Sequence, residues 1–176
     1  LSPDHNKELL SLDDYRYCHF HFKKSIYVKN KWEIEHLQAI FKILNNNKYK
    51  ILLTSDIEKT EFNDIFKRIY PTHNFENFVK SKISNMIKKD INYLENVQSI
   101  DLFHVIRQSS LVIAPHGTMS VAASFLCVPV IDIFDKTINT IAFREYKPDN
   151  LRYNFFILKT FSQRLIYKIN KFLKNV

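Results

Sequence analysis

The sequence contains one glycine among its 176 residues, together with two cysteines and no long apolar run. A single glycine excludes the glycine-rich fingerprint of dinucleotide-binding enzymes and the phosphate loop of P-loop NTPases, because both motifs need more than one glycine. Cys18 and Cys127 lie far apart in apolar surroundings without the spacing of metal ligands. We therefore interpret both as reduced core thiols and expect a cytosolic protein.

The longest apolar runs, such as FLCVPVIDIF, are too short to cross a membrane, which takes about 20 apolar residues. The start of the chain shows no charged segment followed by an apolar one, so we expect neither secretion nor membrane insertion. The first residue is Leu1 rather than methionine. We therefore expect the chain to be a piece of a longer protein.

Acidic residues are few relative to basic ones, 18 against 26, which gives a formal net charge of +8. Residues 151–176 contain no acidic residue at all. This balance indicates an anionic partner, such as nucleic acid, a phosphorylated ligand or an acidic membrane surface. A genome with biased nucleotide composition also enriches lysine and asparagine at the expense of glycine, so both explanations stay open.

The composition favours one folded domain over positions 1–176, because 45% of the residues are hydrophobic and 14% are aromatic. Short apolar runs alternate with amphipathic segments of helical spacing. Strands are predicted at 15–22, 49–55, 111–115, 129–135 and 152–158. Helices are predicted at 31–46, 57–69, 99–110, 117–127 and 161–173. A further strand at 75–80 and a short helix at 81–89 are predicted in the less regular middle of the chain.

Strands separated by helices predict βαβ units and a doubly wound, Rossmann-like parallel sheet in an α/β domain. In such a domain ligands bind beyond the carboxyl ends of the strands. The candidate loops are 22–31, 54–58, 115–118 and the segment from Asp135 onward.

The glycine lies in the stretch APHGTMSVAASF, where a predicted strand turns into a predicted helix. Gly117 either completes a tight turn or lets a ligand approach the backbone. The helix start offers unpaired N–H groups and a favourable dipole for a phosphate, and Thr118 and Ser120 add hydroxyls. His116 is a candidate catalytic residue, although a histidine in a loop can also simply bond a carbonyl.

The order of these pieces resembles a known family. The segments YCHFHFKKSIYVKNKWEIEHLQAIFKILNNNKYKILLTSDIEKTEF and SIDLFHVIRQSSLVIAPHGTMSVAASFLCVPVIDIFD resemble the carboxy-terminal half of the heptosyltransferase-like glycosyltransferases. The resemblance implies one half of a GT-B fold, in which two Rossmann-like domains face each other. It also implies transfer of a sugar from a nucleotide-diphosphate sugar to a glycan or lipopolysaccharide-type acceptor.

The resemblance implies site residues at matching positions. In KNKW, Lys31 corresponds to a diphosphate ligand and Trp32 to the opening of the following helix. The small hydroxyl and basic residues before them correspond to Lys24 and Ser25. In LTSDIEK, Glu58 corresponds to the residue that binds the ribose of the donor nucleotide.

The stretch PHGTMSVAAS matches the third element of the family with two departures. Where the family has an acidic residue this chain has Pro115, and where the family has a histidine this chain has Ser120. The histidine of this chain is His116, which directly precedes Gly117. The resemblance implies donor binding through lysines, helix termini and His116, which it makes a donor-binding residue rather than a catalytic one, and without a metal or another cofactor. In this fold the general base usually comes from the amino-terminal domain, so the chain alone is expected to bind donor but to be incomplete as an enzyme.

The other histidines and aspartates are expected to have structural roles and not to bind a metal ion. His19 and His21 alternate along one predicted strand with no third ligand nearby, so ordinary strand histidines are expected rather than a metal site. Asp132 and Asp135 do not form the DxD motif of metal-dependent glycosyltransferases. No metal site is therefore predicted.

Two other functions remain as alternatives. One is a basic module that binds nucleic acid or an anionic membrane through the acid-free tail, with steeply salt-dependent affinity. The other is a nucleotide-sugar enzyme that needs no acceptor, such as an epimerase or hydrolase. RNA-binding motifs, zinc ligands and a DNA-reading helix pair are missing from the sequence, so no nucleic-acid partner is expected. We expect a cytoplasmic location, with the inner face of the membrane as a peripheral contact.

Overall fold

The computed structural model describes residues 16–28, 30–56, 61–75, 89–98, 100–135, 153–158 and 163–174, with backbone alone at 134–135, 153–158 and 163–165. The described strands are β1 (Arg16–Phe22), β2 (Tyr49–Ser55), β3 (Thr72–Asn74), β4 (Ile91–Glu95), β5 (Leu111–Pro115), β6 (Val130–Asp135) and β7 (Tyr153–Leu158). The described helices are α1 (Lys24–Tyr27), α2 (Ile34–Asn46), α3 (Glu61–Ile69), α4 (Leu102–Arg107), α5 (Thr118–Phe125) and α6 (Gln163–Leu173).

The strands form one seven-stranded sheet in the order β3-β4-β2-β1-β5-β6-β7, and every neighbouring pair is parallel. From β1 the chain builds the sheet outward through β2 and then crosses to β5 on the other side of β1. The direction of winding therefore reverses between β1 and β5, where doubly wound domains place their ligand crevice. The predicted doubly wound α/β fold is confirmed.

Alternate residues of each central strand enter different cores, because successive side chains of a strand point to opposite faces of the sheet. On one face Phe20, Ile51 and Ile113 pack in a core cluster that includes the buried residues of α2, Phe66 of α3 and the end of α6. On the other face Val112 and Val130 pack against residues of α4 and α5. Helices therefore cover both faces, as a buried parallel sheet requires.

Most of the predicted elements appear where the periodicity places them. All five strands predicted in the described ranges are present, and α2 to α6 match the five predicted helices. The strand β4 is an addition, and β3 at residues 72–74 lies just before the strand predicted at 75–80. Residues 76–88, which hold most of that strand and the predicted helix at 81–89, lie outside the described residues.

The interpretation of both cysteines as core thiols is wrong for one of them. Cys18 is buried in β1, whereas Cys127 is exposed, directly after the C-cap of α5. Cys127 has a φ of 55°, so the helix ends there in a left-handed turn that turns the chain toward β6. Both cysteines are free thiols. Among the described helices, none is long and apolar enough to cross a membrane.

Candidate functional site

A cleft of about 460 Å³ opens at the carboxyl ends of β1, β2 and β5, at the reversal of winding. Polar and charged residues from three strand ends line it together with a few apolar ones. These residues are His21, Lys23, Ser25, Ser55, Asp56, Val97, Leu102, Pro115, His116, Gly117, Thr118 and Met119. The position agrees with the one expected for a ligand crevice in this topology.

Gly117 adopts a backbone conformation that is essentially restricted to glycine, with φ 155° and ψ −157°. A Cβ built at this position would meet no atom within 4 Å, so the requirement comes from the backbone and not from packing. The Ser120 hydroxyl donates to the Gly117 carbonyl at 3.0 Å, and the Gly117 N–H donates to Ser120 Oγ at 3.2 Å. The glycine thus starts α5 at the wall of the cleft and leaves open space in front of the turn.

His116 is held by a buried carboxylate. Its Nδ1 lies 2.7 Å from Oδ2 of Asp132, which is only 1% exposed within β6. The two atoms are within hydrogen-bond distance, and Nδ1 is the donor when the carboxylate is ionised, because an ionised carboxylate only accepts hydrogen bonds. The backbone N–H of His116 also donates to the Ile133 carbonyl at 2.8 Å. The neighbouring strand β6 therefore fixes both the backbone and the ring of His116 at the edge of the cleft.

A second histidine enters the cleft from β1. His21 Nδ1 lies 2.9 Å from Thr54 Oγ1, and its Nε2 lies 3.4 Å from Asp56 Oδ1. The same Thr54 hydroxyl lies 2.8 Å from Nε2 of the fully buried His19. Burial, with a smaller contribution from His21, lowers the pKa of His19 to about 3, so His19 is neutral at physiological pH.

A larger cleft of about 730 Å³ adjoins the first at the ends of β2 and β4. The two clefts share Ser55, Asp56 and Val97. In the larger one the Ser55 hydroxyl lies 2.8 Å from the Tyr93 hydroxyl, and the Asn63 amide donates to Ser55 Oγ at 2.9 Å. Burial raises the pKa of Tyr93, so its hydroxyl stays protonated. The two clefts therefore adjoin each other along the carboxyl ends of the strands.

The structure brings together half of the residues predicted from the sequence. Of these, Ser25, His116, Gly117 and Thr118 line the smaller cleft. Ser120 is fully buried and fastens the turn at Gly117.

The remaining predicted residues lie elsewhere. Lys24 is exposed at the start of α1, and Lys31 is exposed just beyond its end with a φ of 58°. Among the described residues, the lysine that lines the smaller cleft is Lys23. Glu58 lies outside the described residues. Trp32 is buried and precedes α2, which begins at Ile34.

Sequence reasoning missed three residues of the site. His21 and Asp56 line the cleft, and Asp132 holds His116 from below. A usable signal existed in each case, because all three are polar residues at or near the carboxyl end of an apolar strand. Asp132 interrupts the apolar run VIDIF, and a buried carboxylate needs a partner. Within the described ranges, no three His, Cys, Asp or Glu side chains are grouped so as to hold a metal ion.

Comparison with known proteins finds two solved structures with a similar fold. The chain aligns with E. coli ADP-heptose lipopolysaccharide heptosyltransferase II at a TM-score of 0.58 and 12% identity, over 99% of this chain and 53% of that one. It aligns with Methanocaldococcus jannaschii UDP-GlcNAc 2-epimerase, solved with UDP-GlcNAc and UDP, at a TM-score of 0.55 and 15% identity, over 99% and 41%. The likeness establishes the fold.

The comparison extends no further than the fold. The chain spans about half the length of the heptosyltransferase and less than that of the epimerase. No protein-family model matches the sequence, and no curated protein matches it significantly.

Proposed function

We propose that this chain is the donor-binding domain of a glycosyltransferase that moves a sugar from a nucleotide-diphosphate sugar to a glycan or lipopolysaccharide-type acceptor. One observation carries the proposal. The cleft at the reversal of winding is lined by His116 and by the start of α5, whose N-cap is Gly117. The similarity of the fold to a heptosyltransferase and a UDP-GlcNAc epimerase supports it. The binding site for the acceptor and the general base would belong to a second domain.

The start of α5 suits a diphosphate. The first N–H groups of a helix lack partners within the helix, and its dipole favours a negative charge at this end. The open space in front of Gly117 lets an oxygen approach the backbone. Ser25 and Thr118 supply hydroxyls, and Lys23 supplies a positive charge. These are the groups that stabilise a departing nucleoside diphosphate when no metal takes part.

The second cleft provides room for the rest of a donor. A nucleotide sugar is longer than its diphosphate, and the two clefts adjoin each other at Ser55 and Asp56. Lys24 and Lys31 remain proposed donor ligands at the two ends of α1, and Glu58 remains a proposed ribose ligand two residues after Asp56.

Calorimetric titration with UDP, ADP, GDP and their sugar conjugates tests the proposal. We expect at least one of them to bind. His116→Gln and Thr118→Val should weaken that binding about tenfold each, as the loss of a hydrogen bond to a charged group does. His104→Gln is the matched control, because His104 is an exposed histidine on α4 that is not among the described lining residues. Absence of binding by the whole panel would contradict the proposal.

A second candidate function is a nucleotide-sugar enzyme that needs no acceptor, such as an epimerase or hydrolase. The His116–Asp132 pair favours it, because a histidine held by a carboxylate is a common acid–base device. Turnover of UDP-GlcNAc without any acceptor distinguishes the two functions. If this candidate holds, His116→Ala abolishes that turnover while the protein stays folded. Donor binding without such turnover leaves the transferase proposal in place.

A further inference from the structure

The larger cleft, at the ends of β2 and β4, is lined by side chains that a diphosphate does not need. Its charged lining residues are Asp56, Asp64, Lys67 and Glu95, and its apolar ones are Leu94, Val97 and Ile100. Ile100 is 72% exposed, so it offers apolar surface to a ligand. This lining suits a ring that is apolar on its faces and polar at its edge, as a nucleobase is.

The larger cleft also lies at a suitable distance from the start of α5. Glu95 ends β4 and Gly117 follows β5, and the strand order β4-β2-β1-β5 separates these strands by three steps. Neighbouring strands are about 4.8 Å apart, so the separation across the sheet is about 14 Å. An extended nucleoside diphosphate covers a similar length from its outer phosphate to its base. With the diphosphate at Gly117, the base of the donor reaches the larger cleft.

Glu95 presents a carboxylate that Lys67 holds in place. Oε2 of Glu95 pairs with Nζ of Lys67 on α3. The hydrogen bond between them raises the pKa of Lys67, so the lysine stays charged at neutral pH. A carboxylate has about four accepting positions and an ammonium has three donors, so each partner keeps hydrogen-bonding capacity beyond the pair. The Glu95–Lys67 pair can therefore bind a ligand that offers donors next to an acceptor.

Guanine is the nucleobase with that pattern. Its 2-amino group and N1–H are adjacent donors that fit the two oxygens of one carboxylate, and its O6 lies next to N1–H and can accept from the ammonium. Adenine and cytosine have a ring nitrogen that only accepts beside their amino group, and uracil has its one N–H between two carbonyl oxygens. A carboxylate cannot donate to these acceptors. The pair therefore distinguishes guanine from the other three bases.

We propose that the larger cleft binds the base of the donor and that the Glu95–Lys67 pair selects guanine, so that the donor is a GDP-sugar. The inference rests on the proposed function and names the nucleotide that this function uses. Glu95 accepts from N1–H and the 2-amino group, and Lys67 donates to O6. Ile100 covers one face of the ring.

Calorimetric titration of the whole chain with GDP, ADP, UDP and xanthosine diphosphate tests the inference. Xanthine has a carbonyl oxygen in place of the 2-amino group of guanine. We expect the wild type to bind GDP about tenfold more tightly than the other three, because each of them loses a hydrogen bond to a charged group. Glu95→Gln has an amide that accepts and donates, so it should bind xanthosine diphosphate at least as tightly as GDP. A merely structural role of Glu95 would weaken all four nucleotides alike.

Asp64→Asn is the matched control, because it removes another carboxylate that lines the same cleft and should leave the preference for GDP unchanged. Lys67→Met should weaken GDP binding but keep the preference for GDP over xanthosine diphosphate, which depends on Glu95. Absence of a preference for GDP in the wild type, or unchanged selectivity in Glu95→Gln, overturns the inference while the proposed function stands. If no nucleotide and no sugar conjugate binds, both fail.

Discussion

Gly117 shows that a backbone conformation can decide which residue type a position accepts. Four described residues other than glycine have positive φ values near 60°: Lys31, Lys48, Asn96 and Cys127. That left-handed region tolerates a Cβ at a modest cost. The combination of φ 155° and ψ −157° at Gly117 does not. The chain uses its one glycine where no other residue fits, and this turn borders the cleft.

His19 should make the stability of the fold depend on pH. In the unfolded chain it takes up a proton near pH 6.5, whereas in the fold its pKa is lowered to about 3. Between these values the unfolded state binds more protons, so the free energy of unfolding decreases as the pH falls, by about 1.4 kcal/mol per pH unit. Urea denaturation of the wild type and His19→Gln at pH 7.5, 6.0 and 5.0 measures this.

The difference between the two proteins isolates His19 from the other titrating groups. We expect the advantage of the wild type over His19→Gln to shrink as the pH falls, because glutamine takes up no proton. Parallel pH profiles of the two proteins would show that the buried imidazole is not the cause.

At the scale of an element, α5 is defined at both ends by backbone geometry. Gly117 starts it, and Cys127 ends it with a φ of 55°. The Val128 N–H donates to the Ala123 carbonyl at 2.9 Å and the Cys127 N–H to the Ser124 carbonyl at 3.1 Å, the Schellman pattern of helix ends. Glycine is the usual residue at the position of Cys127 in this pattern.

Cys127→Gly should stabilise the protein. The substitution relieves the Cβ of a left-handed residue, which costs roughly 1–2 kcal/mol, and glycine's greater freedom in the unfolded chain offsets part of this. We expect a net increase of about 0.5–1 kcal/mol in the free energy of unfolding, measured by urea denaturation. Cys127→Ala is the matched control: it removes the same exposed thiol but keeps a Cβ, so it should bring no gain.

At the scale of the whole molecule, the last described helix, α6, packs against the hydrophobic core. Ile169, Phe172 and Leu173 of α6 are buried in the cluster that also contains the apolar face of α2. The side-chain amide of Asn47, after α2, donates to Asn170 Oδ1 at 3.3 Å. The end of the sequence thus packs on the same face of the sheet as its first long helix.

Phe172→Ala tests this closure. Truncating a buried phenylalanine removes apolar burial and leaves a cavity, so the free energy of unfolding should fall by about 3 kcal/mol. Tyr167→Ala, in the same helix, removes a ring that is 65% exposed and should change it by less than about 0.5 kcal/mol. Urea denaturation of both variants gives the comparison. Equal effects would contradict the packing of α6.

The regular part of the fold could be predicted because periodicity is local. The apolar runs YKILLTS and LVIAP form β2 and β5, and the helical spacing from Ile34 to Leu44 forms α2. Periodicity could not predict which lysine lines the cleft. Lys23, Lys24 and Lys31 are close in sequence, and the family pattern favoured the last two, but Lys23 lines the cleft. Lys23 directly precedes α1, Lys24 begins it and Lys31 follows it, so the three lysines differ in their position relative to this short helix.

The sequence by itself determined the class of the fold and the turn at Gly117, because apolar periodicity and a single glycine act through neighbouring residues. Only the tertiary structure decided how His21, Asp56, His116 and Asp132 pair. These residues are far apart along the chain, and the strand order β2-β1-β5-β6 brings them to adjacent strand ends. Pairing across strands depends on how the whole sheet is wound, which no local pattern encodes.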